Sequence, residues 1–178
     1  KGTPSGEVAS KSIGTSGGAL QSADGKLTVT IPSGALSSST TISIQPITNE
    51  APLGLGFGYS LQPEGLTFAK PVELKFHYDG QLLKNTPEDF LWIVTQATDG
   101  SWNAMLKSVV DTGGKTVTIK TAHFSDWALG RFIDLSLNPS SSTLSKGQSV
   151  TLLVAGFVRD KALQEDDELA PLVPITGD

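Results

Sequence analysis

Residues 24–47 read DGKLTVTIPSGALSSSTTISIQPI, and their alternation decides the fold class. Leu27, Val29 and Ile31 alternate with Lys26, Thr28 and Thr30, and Ile42 and Ile44 alternate with Thr41 and Ser43. A period of two sends successive side chains to opposite sides of an extended chain, so each run predicts a strand with one apolar face. Between the runs, Pro32 has no N–H to give to a ladder, Gly34 permits a tight turn, and Leu36 returns to plug the end of the core.

The same pattern extends outward. Val72, Leu74, Phe76 and Tyr78 alternate with Glu73, Lys75 and His77. Asp24-Gly25, Asp79-Gly80, Asp99-Gly100 and Gly113-Gly114 supply turn dipeptides in which glycine adopts positive φ without a Cβ clash. Only residues 81–90 (QLLKNTPEDF) suggest a helical turn, because Pro87 followed by Glu88 and Asp89 is a helix-start pattern. So many single apolar faces are covered most economically by one another. The expected class is all-β, an antiparallel β-sandwich with little helix over residues 14–129. The polar, Gly- and Ser-rich residues 1–13 read as a flexible tether.

Thirteen Lys and Arg against 18 Asp and Glu leave a net charge of −5, the wrong sign for a nucleic-acid footprint. Without cysteine there is no disulfide framework, thiolate metal site or Cys nucleophile. No apolar run approaches the ~18 residues of a membrane span. Neither a Gly-rich phosphate loop opening a helix nor a Gly-x-Ser-x-Gly elbow occurs, so no cofactor and no turnover of an external substrate are expected.

Two stretches carry a family resemblance. In residues 24–47 a strand runs into Ile31-Pro32-Ser33-Gly34-Ala35-Leu36 and on to a second strand; in residues 61–76 (LQPEGLTFAKPVELKF) Gly65, Phe68, Lys70, Pro71, Val72 and Leu74 form a second pattern. With the terminal His123-Phe124-Ser125, these resemble the ZU-five domain, a β-sandwich module of zonula occludens proteins, netrin receptors and ankyrins, in a bacterial variant. One departure is Pro63-Glu64-Gly65, where family members commonly carry Gly-Pro. Residues 130–178 resemble the start of a bacterial immunoglobulin-like repeat: Ile133, Leu135 and Leu137 alternate with polar residues, 139–146 reads as a loop, and Val150, Leu152 and Val154 as another strand. Glu165, Asp166, Asp167 and Glu168 lack an ordered calcium-loop spacing and read as a solvated linker.

In some modules of this kind, and in the related autoproteolysis-inducing domains of adhesion receptors and a nuclear pore protein, the His-Phe-Ser or His-Leu-Ser/Thr tripeptide is cut before the hydroxyl residue. The resemblance implies an N-to-O acyl shift in which His123 acts as base, Ser125 Oγ attacks the Phe124 carbonyl, and water hydrolyses the ester. In an unbroken strand, Val117, Ile119, Thr121, His123, Ser125, Trp127 and Leu129 share the inward face. The Cβ atoms of His123 and Ser125 are then roughly 6.6 Å apart, too far for a direct hydrogen bond without a kink. Phe124, apolar on the polar face, hints at irregularity. The leading reading makes His123 and Ser125 inward polar residues that lock the last strand while Trp127 caps the core; self-cleavage is the alternative.

Trp92, Trp102 and Tyr59 form a third candidate set, a sugar-stacking platform, set against ordinary cross-strand packing. His77 has no second His near it in sequence and reads as a solvent-facing strand residue rather than a metal ligand. The combined expectation is a non-catalytic interaction or spacer module of a larger bacterial protein, next to immunoglobulin-like domains and extracellular, surface-attached or periplasmic, with an unidentified protein or glycan as partner. Self-cleavage between Phe124 and Ser125 and glycan binding are the alternatives.

Overall fold

A computed structural model of the chain describes residues 1–83, 87–131, 133–135, 146, 154–159 and 169–174. Their regular structure is almost wholly β: Ala9–Ile13 (β1), Gly18–Gln21 (β2), Leu27–Ile31 (β3), Thr40–Ile47 (β4), Gly54–Gln62 (β5), Thr67–His77 (β6), Leu91–Gln96 (β7), Trp102–Met105 (β8), Val109–Asp111 (β9), Thr116–His123 (β10), Asp126–Arg131 (β11), Ile133–Leu135 (β12), Val154–Arg159 (β13) and Leu169–Pro174 (β14). They form two antiparallel sheets packed as a sandwich. The larger runs β1-β4-β5-β11-β7-β8-β14-β13-β12 and the smaller β2-β3-β6-β10-β9.

Alternation positions the core. Leu27 and Val29 on β3, Ile42 and Ile44 on β4, and Val72 and Leu74 on β6 are fully buried between the sheets, joined by Phe76 and Tyr78. A second apolar cluster lies on the outer face of the large sheet, where Ala51, Val94, Ala104 and Ala128 meet Trp92, Trp102 and Leu172. Strand β11 lies between β5 and β7 and is covered on both faces, with Trp127 in the inter-sheet core and Ala128 in the outer cluster.

The chain moves between sheets repeatedly, and three of its crossings meet. Residues 32–39 carry it from β3 to β4, residues 63–66 from β5 to β6, and residues 124–125 from β10 to β11. The Ala69 N–H donates to Ala35 O (3.0 Å), and Lys70 Nζ donates to Ser33 O (2.7 Å). The Phe124 N–H donates to Leu66 O (2.9 Å), the Gly65 N–H to Phe124 O (3.1 Å), and the Phe68 and Phe124 rings meet edge to face at 4.8 Å. The three motifs that carry the family resemblance thus adjoin at these crossings, and the bonds named here tie one crossing to the next or to the start of β6. Gly34 takes the tight turn at φ +76°, and Leu36 is buried in the core beside it.

Several sequence expectations are corrected. The strand through residues 116–129 is broken at Phe124 and Ser125, where the chain leaves the small sheet for the large one, after a register shift between Thr121 and His123. Inward parity holds for Val117, Ile119 and Thr121, but Phe124 rather than His123 then enters the core. Within the expected tether, Ala9–Ile13 pairs with β4 as an edge strand; only Ile13 is buried, so backbone hydrogen bonding rather than an apolar face makes it a strand. At the Gly113-Gly114 turn Lys115 takes the left-handed conformation (φ +53°), with Asp111 Oδ1 accepting from the Gly114 N–H. Asp79-Gly80 opens a short 3-10 turn, Gly80–Leu83, and a second one covers Glu88–Phe90.

The described strands of residues 130–178 continue the large sheet: β14 pairs with β8, and β13 lies between β14 and β12. The expected strand at Val150 and Leu152 and the acidic run 165–168 lie outside the described residues.

Phe124 is 1 % exposed. Phe124→Ala is expected to lower the unfolding free energy by about 3–5 kcal/mol, the cost of an emptied aromatic site. Val109→Ala, at a position 65 % exposed, is expected to stay within about 0.5 kcal/mol. Urea denaturation curves of the two variants check this pair.

Candidate functional site

The sequence directs attention to His123-Phe124-Ser125, which the structure places at the shortest of the three meeting crossings. His123 and Ser125 are both half-buried, and no hydrogen bond joins them. Ser125 Oγ donates to Gln96 O at the end of β7 (2.9 Å). His123 Nδ1 lies 3.5 Å from Thr121 Oγ1, and its ring sits 5.8 Å from that of Trp127. The carbonyl that an attacking serine would have to reach, Phe124 O, accepts one N–H, from Gly65. Among the described residues, the non-glycine positions with left-handed backbone are Leu53 and Lys115, neither at this junction. The strand break is present, while the base and the nucleophile are bonded to other partners rather than to each other.

Immediately beyond Ser125 stands Asp126, the first residue of β11. It is 3 % exposed, and neither carboxylate oxygen has a hydrogen-bond partner. Its backbone is fixed: Asp126 pairs with Ser60 on β5, and its carbonyl accepts from Thr95 Oγ1 on β7 (3.3 Å). The side chain shares the outer face of the large sheet with Ala128 and forms part of the wall of two open clefts. One, of about 250 Å³, is lined by Lys1, Glu64, Gln96, Thr98, Ser125 and Asp126 among others. The second, of about 390 Å³, has Lys1 and Asp126 in its wall together with Ser43, Gln45, Ser60 and Gln62. Lys1 Nζ donates to Glu64 Oε2 at 2.6 Å. That bond, with the charge of Asp126 adding to it, raises the Lys1 ammonium above its ordinary pKa.

A sequence signal for Asp126 did exist. In Asp126-Trp127-Ala128-Leu129-Gly130 the remaining positions are apolar or glycine on both parities, which marks a strand covered on both sides. A carboxylate in such a strand has to be withdrawn from water.

Trp92, Trp102 and Tyr59 are not brought together. Trp92 and Trp102 flank the outer cluster of the large sheet, whereas Tyr59 is 2 % exposed in the inter-sheet core on the opposite face, edge to face with Phe76 at 5.7 Å. Tyr59 Oη donates to Asp24 Oδ2 (2.7 Å) in the β2–β3 turn and so ties one sheet to the other. Burial, reinforced by this bond to a carboxylate, pushes the Tyr59 phenol well up. His77 stands half-buried on the solvent-side parity of β6. No group of three or more His, Asp or Glu that could hold a metal ion occurs among the described residues. No helix among them is long and apolar enough to cross a membrane, which says nothing of a β-barrel.

No family model matches the chain, and no curated protein matches it.

The Tyr59–Asp24 tie has a pH signature. Partial burial pushes the Asp24 carboxyl up, but hydrogen bonds from Ser22, the Lys26 N–H and Tyr59 outweigh it and hold it below the ordinary value. A lowered folded-state pKa gives stability that is fully present above the unfolded value of about 3.9 and lost as pH falls through the folded one. Tyr59→Phe is expected to cost about 1 kcal/mol at neutral pH, with the gap to wild type narrowing below pH ~4. Urea midpoints across that range check it.

Proposed function

We propose that the chain is a non-catalytic β-sandwich module, serving interaction or spacing in a larger extracellular or surface protein of bacterial type. The observation that carries the non-catalytic part is the bond from Ser125 Oγ to Gln96 O. It occupies the hydroxyl proton that a base would have to remove, and it ties the start of β11 to the end of β7. His123 is directed to Thr121 and Trp127 instead. Around them the peptide groups of Phe124 and Ser125 are hydrogen-bonded to Gly65, Leu66 and Leu61, an arrangement suited to closing a sandwich. The extracellular placement, the bacterial type and the neighbouring immunoglobulin-like domains rest on the resemblance of the sequence motifs.

The self-cleaving reading is kept as the second one, because the strand is interrupted at the residues where cutting would occur, just after a shift of register between Thr121 and His123. It requires Ser125 to leave Gln96 and to approach Phe124 C. The glycan reading loses Tyr59 to the core, which leaves Trp92 and Trp102 as half-buried members of an apolar cluster.

Intact-mass spectrometry after prolonged incubation near neutral pH, with and without hydroxylamine to intercept an ester, tests the proposal. One species of 18.6 kDa is expected for both wild type and Ser125→Ala. Two fragments meeting at Phe124/Ser125 in wild type alone would replace the non-catalytic reading with the self-cleaving one.

A further inference from the structure

A carboxylate withdrawn from water without a hydrogen bond or ion pair is costly, and proteins that keep one give it a proton, a cation or ordered water. Asp126 is such a group: its backbone pairs with Ser60 on β5 and its carbonyl accepts from Thr95 Oγ1 on β7, which fixes the direction of its Cα–Cβ bond toward the outer face of the sheet. The cation nearest to it by charge is the Lys1 ammonium, whose hydrogen bond goes to Glu64. Among the described residues, two carboxyl groups therefore stand beside one lysine side chain, which is hydrogen-bonded to only one of them. The Lys1–Glu64 pair is itself more than half exposed on both sides, the kind of surface pair that is exchanged at little cost.

We propose that the clefts flanking Asp126 form a binding site for a protonated primary amine, with Asp126 as the buried counter-ion and Glu64 as the outer one. The match is one of donors to acceptors. An ammonium offers three N–H donors and no acceptor, and Asp126, Glu64 and Ser125 all line the first cleft, with the Asp126 carboxylate oxygens closed off from solvent just behind its wall. At about 250 Å³ the cleft has room for roughly eight waters at their liquid volume, enough for a short alkyl chain behind the charged head. A divalent cation is a poor fit, since calcium takes 6–8 oxygen ligands and no group of three acidic or His side chains converges here among the described residues. Lys1 is the internal competitor: it occupies the mouth of both clefts and gives way to an amine that reaches Asp126 directly. The assignment stands whether or not the chain cuts itself, because it uses Ser125 only as a hydroxyl in the wall.

The test is a titration of the intact chain with n-butylammonium, followed through the backbone amide shifts of Ser60, Gln96 and Ser125. Saturable shifts are expected, with butan-1-ol, butyrate and calcium at matched ionic strength producing none. Lys1→Ala should tighten binding several-fold by removing the competitor, and Asp126→Asn should weaken it at least ten-fold while leaving the amide spectrum dispersed. A blocked lysine tripeptide separates the sources of the amine: saturation by it points to a side chain presented by a protein partner, and saturation by butylammonium alone to a free amine. Unsaturable shifts, equal shifts with calcium, or undiminished affinity in a folded Asp126→Asn overturn the proposal. If Asp126→Asn does not fold, Lys1→Ala decides, and unchanged affinity there overturns the proposal as well.

Discussion

Two residues cross the gap between the sheets at the end of β10, and that constraint organises what surrounds them. Packed sheets stand ≈ 10 Å apart, and the three steps from His123 to Asp126 span at most about 11 Å when fully extended. Phe124 and Ser125 therefore have almost no slack. An extended pair in that position turns one side chain into the space between the sheets and presents its peptide groups to whatever adjoins it. Phe124 fills that space against Phe68, and the adjoining backbone at Leu61, Gly65 and Leu66 takes up the polar groups. A hydroxyl at position 125 then fits a specific structural need: Gln96 O lies where the last strand begins, and Ser125 Oγ reaches it.

From the crossing, the chain enters the large sheet at a central position. Both faces of β11 are covered, and the two sides differ in depth. The inter-sheet side accommodates Trp127, fully buried, while the outer side carries Ala128 and Gly130, residues small enough to lie beneath the β7 and β8 side chains. Small residues there explain how Trp92 and Trp102 come to lie against the sheet as half-buried members of a cluster, rather than standing free of it. The partial exposure of the two indoles is a consequence of their size at the margin of that cluster, and it needs no ligand to account for it.

Much of the fold was legible because β3, β4 and β6 are half-buried, and half-burial writes itself as a period of two. Ile42 and Ile44 against Thr41 and Ser43 identify both a strand and its inward face. Residues 124–125 were not legible for a physical reason: an extended crossing uses no glycine, proline or asparagine, so TAHFSDWAL carries no punctuation and reads as one strand. β1 escaped notice in the opposite way, since an edge strand held by its backbone leaves almost no apolar signature in Ala9–Ile13. Tyr59 stayed open between platform and packing because an aromatic residue in a strand does not reveal which face it occupies. The nearby alternation of Leu55, Gly56, Phe57, Gly58 and Tyr59 is interrupted by exposed positions and a register shift on the β11 side.

The residue that follows the crossing, Asp126, pairs with Ser60 on β5 and accepts from Thr95 Oγ1 on β7, so the sheet sets which face its side chain leaves from. An apolar residue there would extend the outer cluster toward β5 and cost nothing in desolvation, and replacing buried ions by well-packed apolar groups is often neutral or stabilising. A carboxylate in that position is thus poorly explained by stability alone. It gains meaning as an acceptor placed ready: a group whose backbone is already fixed loses less freedom when a donor arrives, which is how preorganisation turns a modest electrostatic attraction into selective binding. The same rigidity that makes His123-Phe124-Ser125 a sound sheet corner therefore gives its neighbour the geometry of a receptor group, and the two roles arise from one stretched connection.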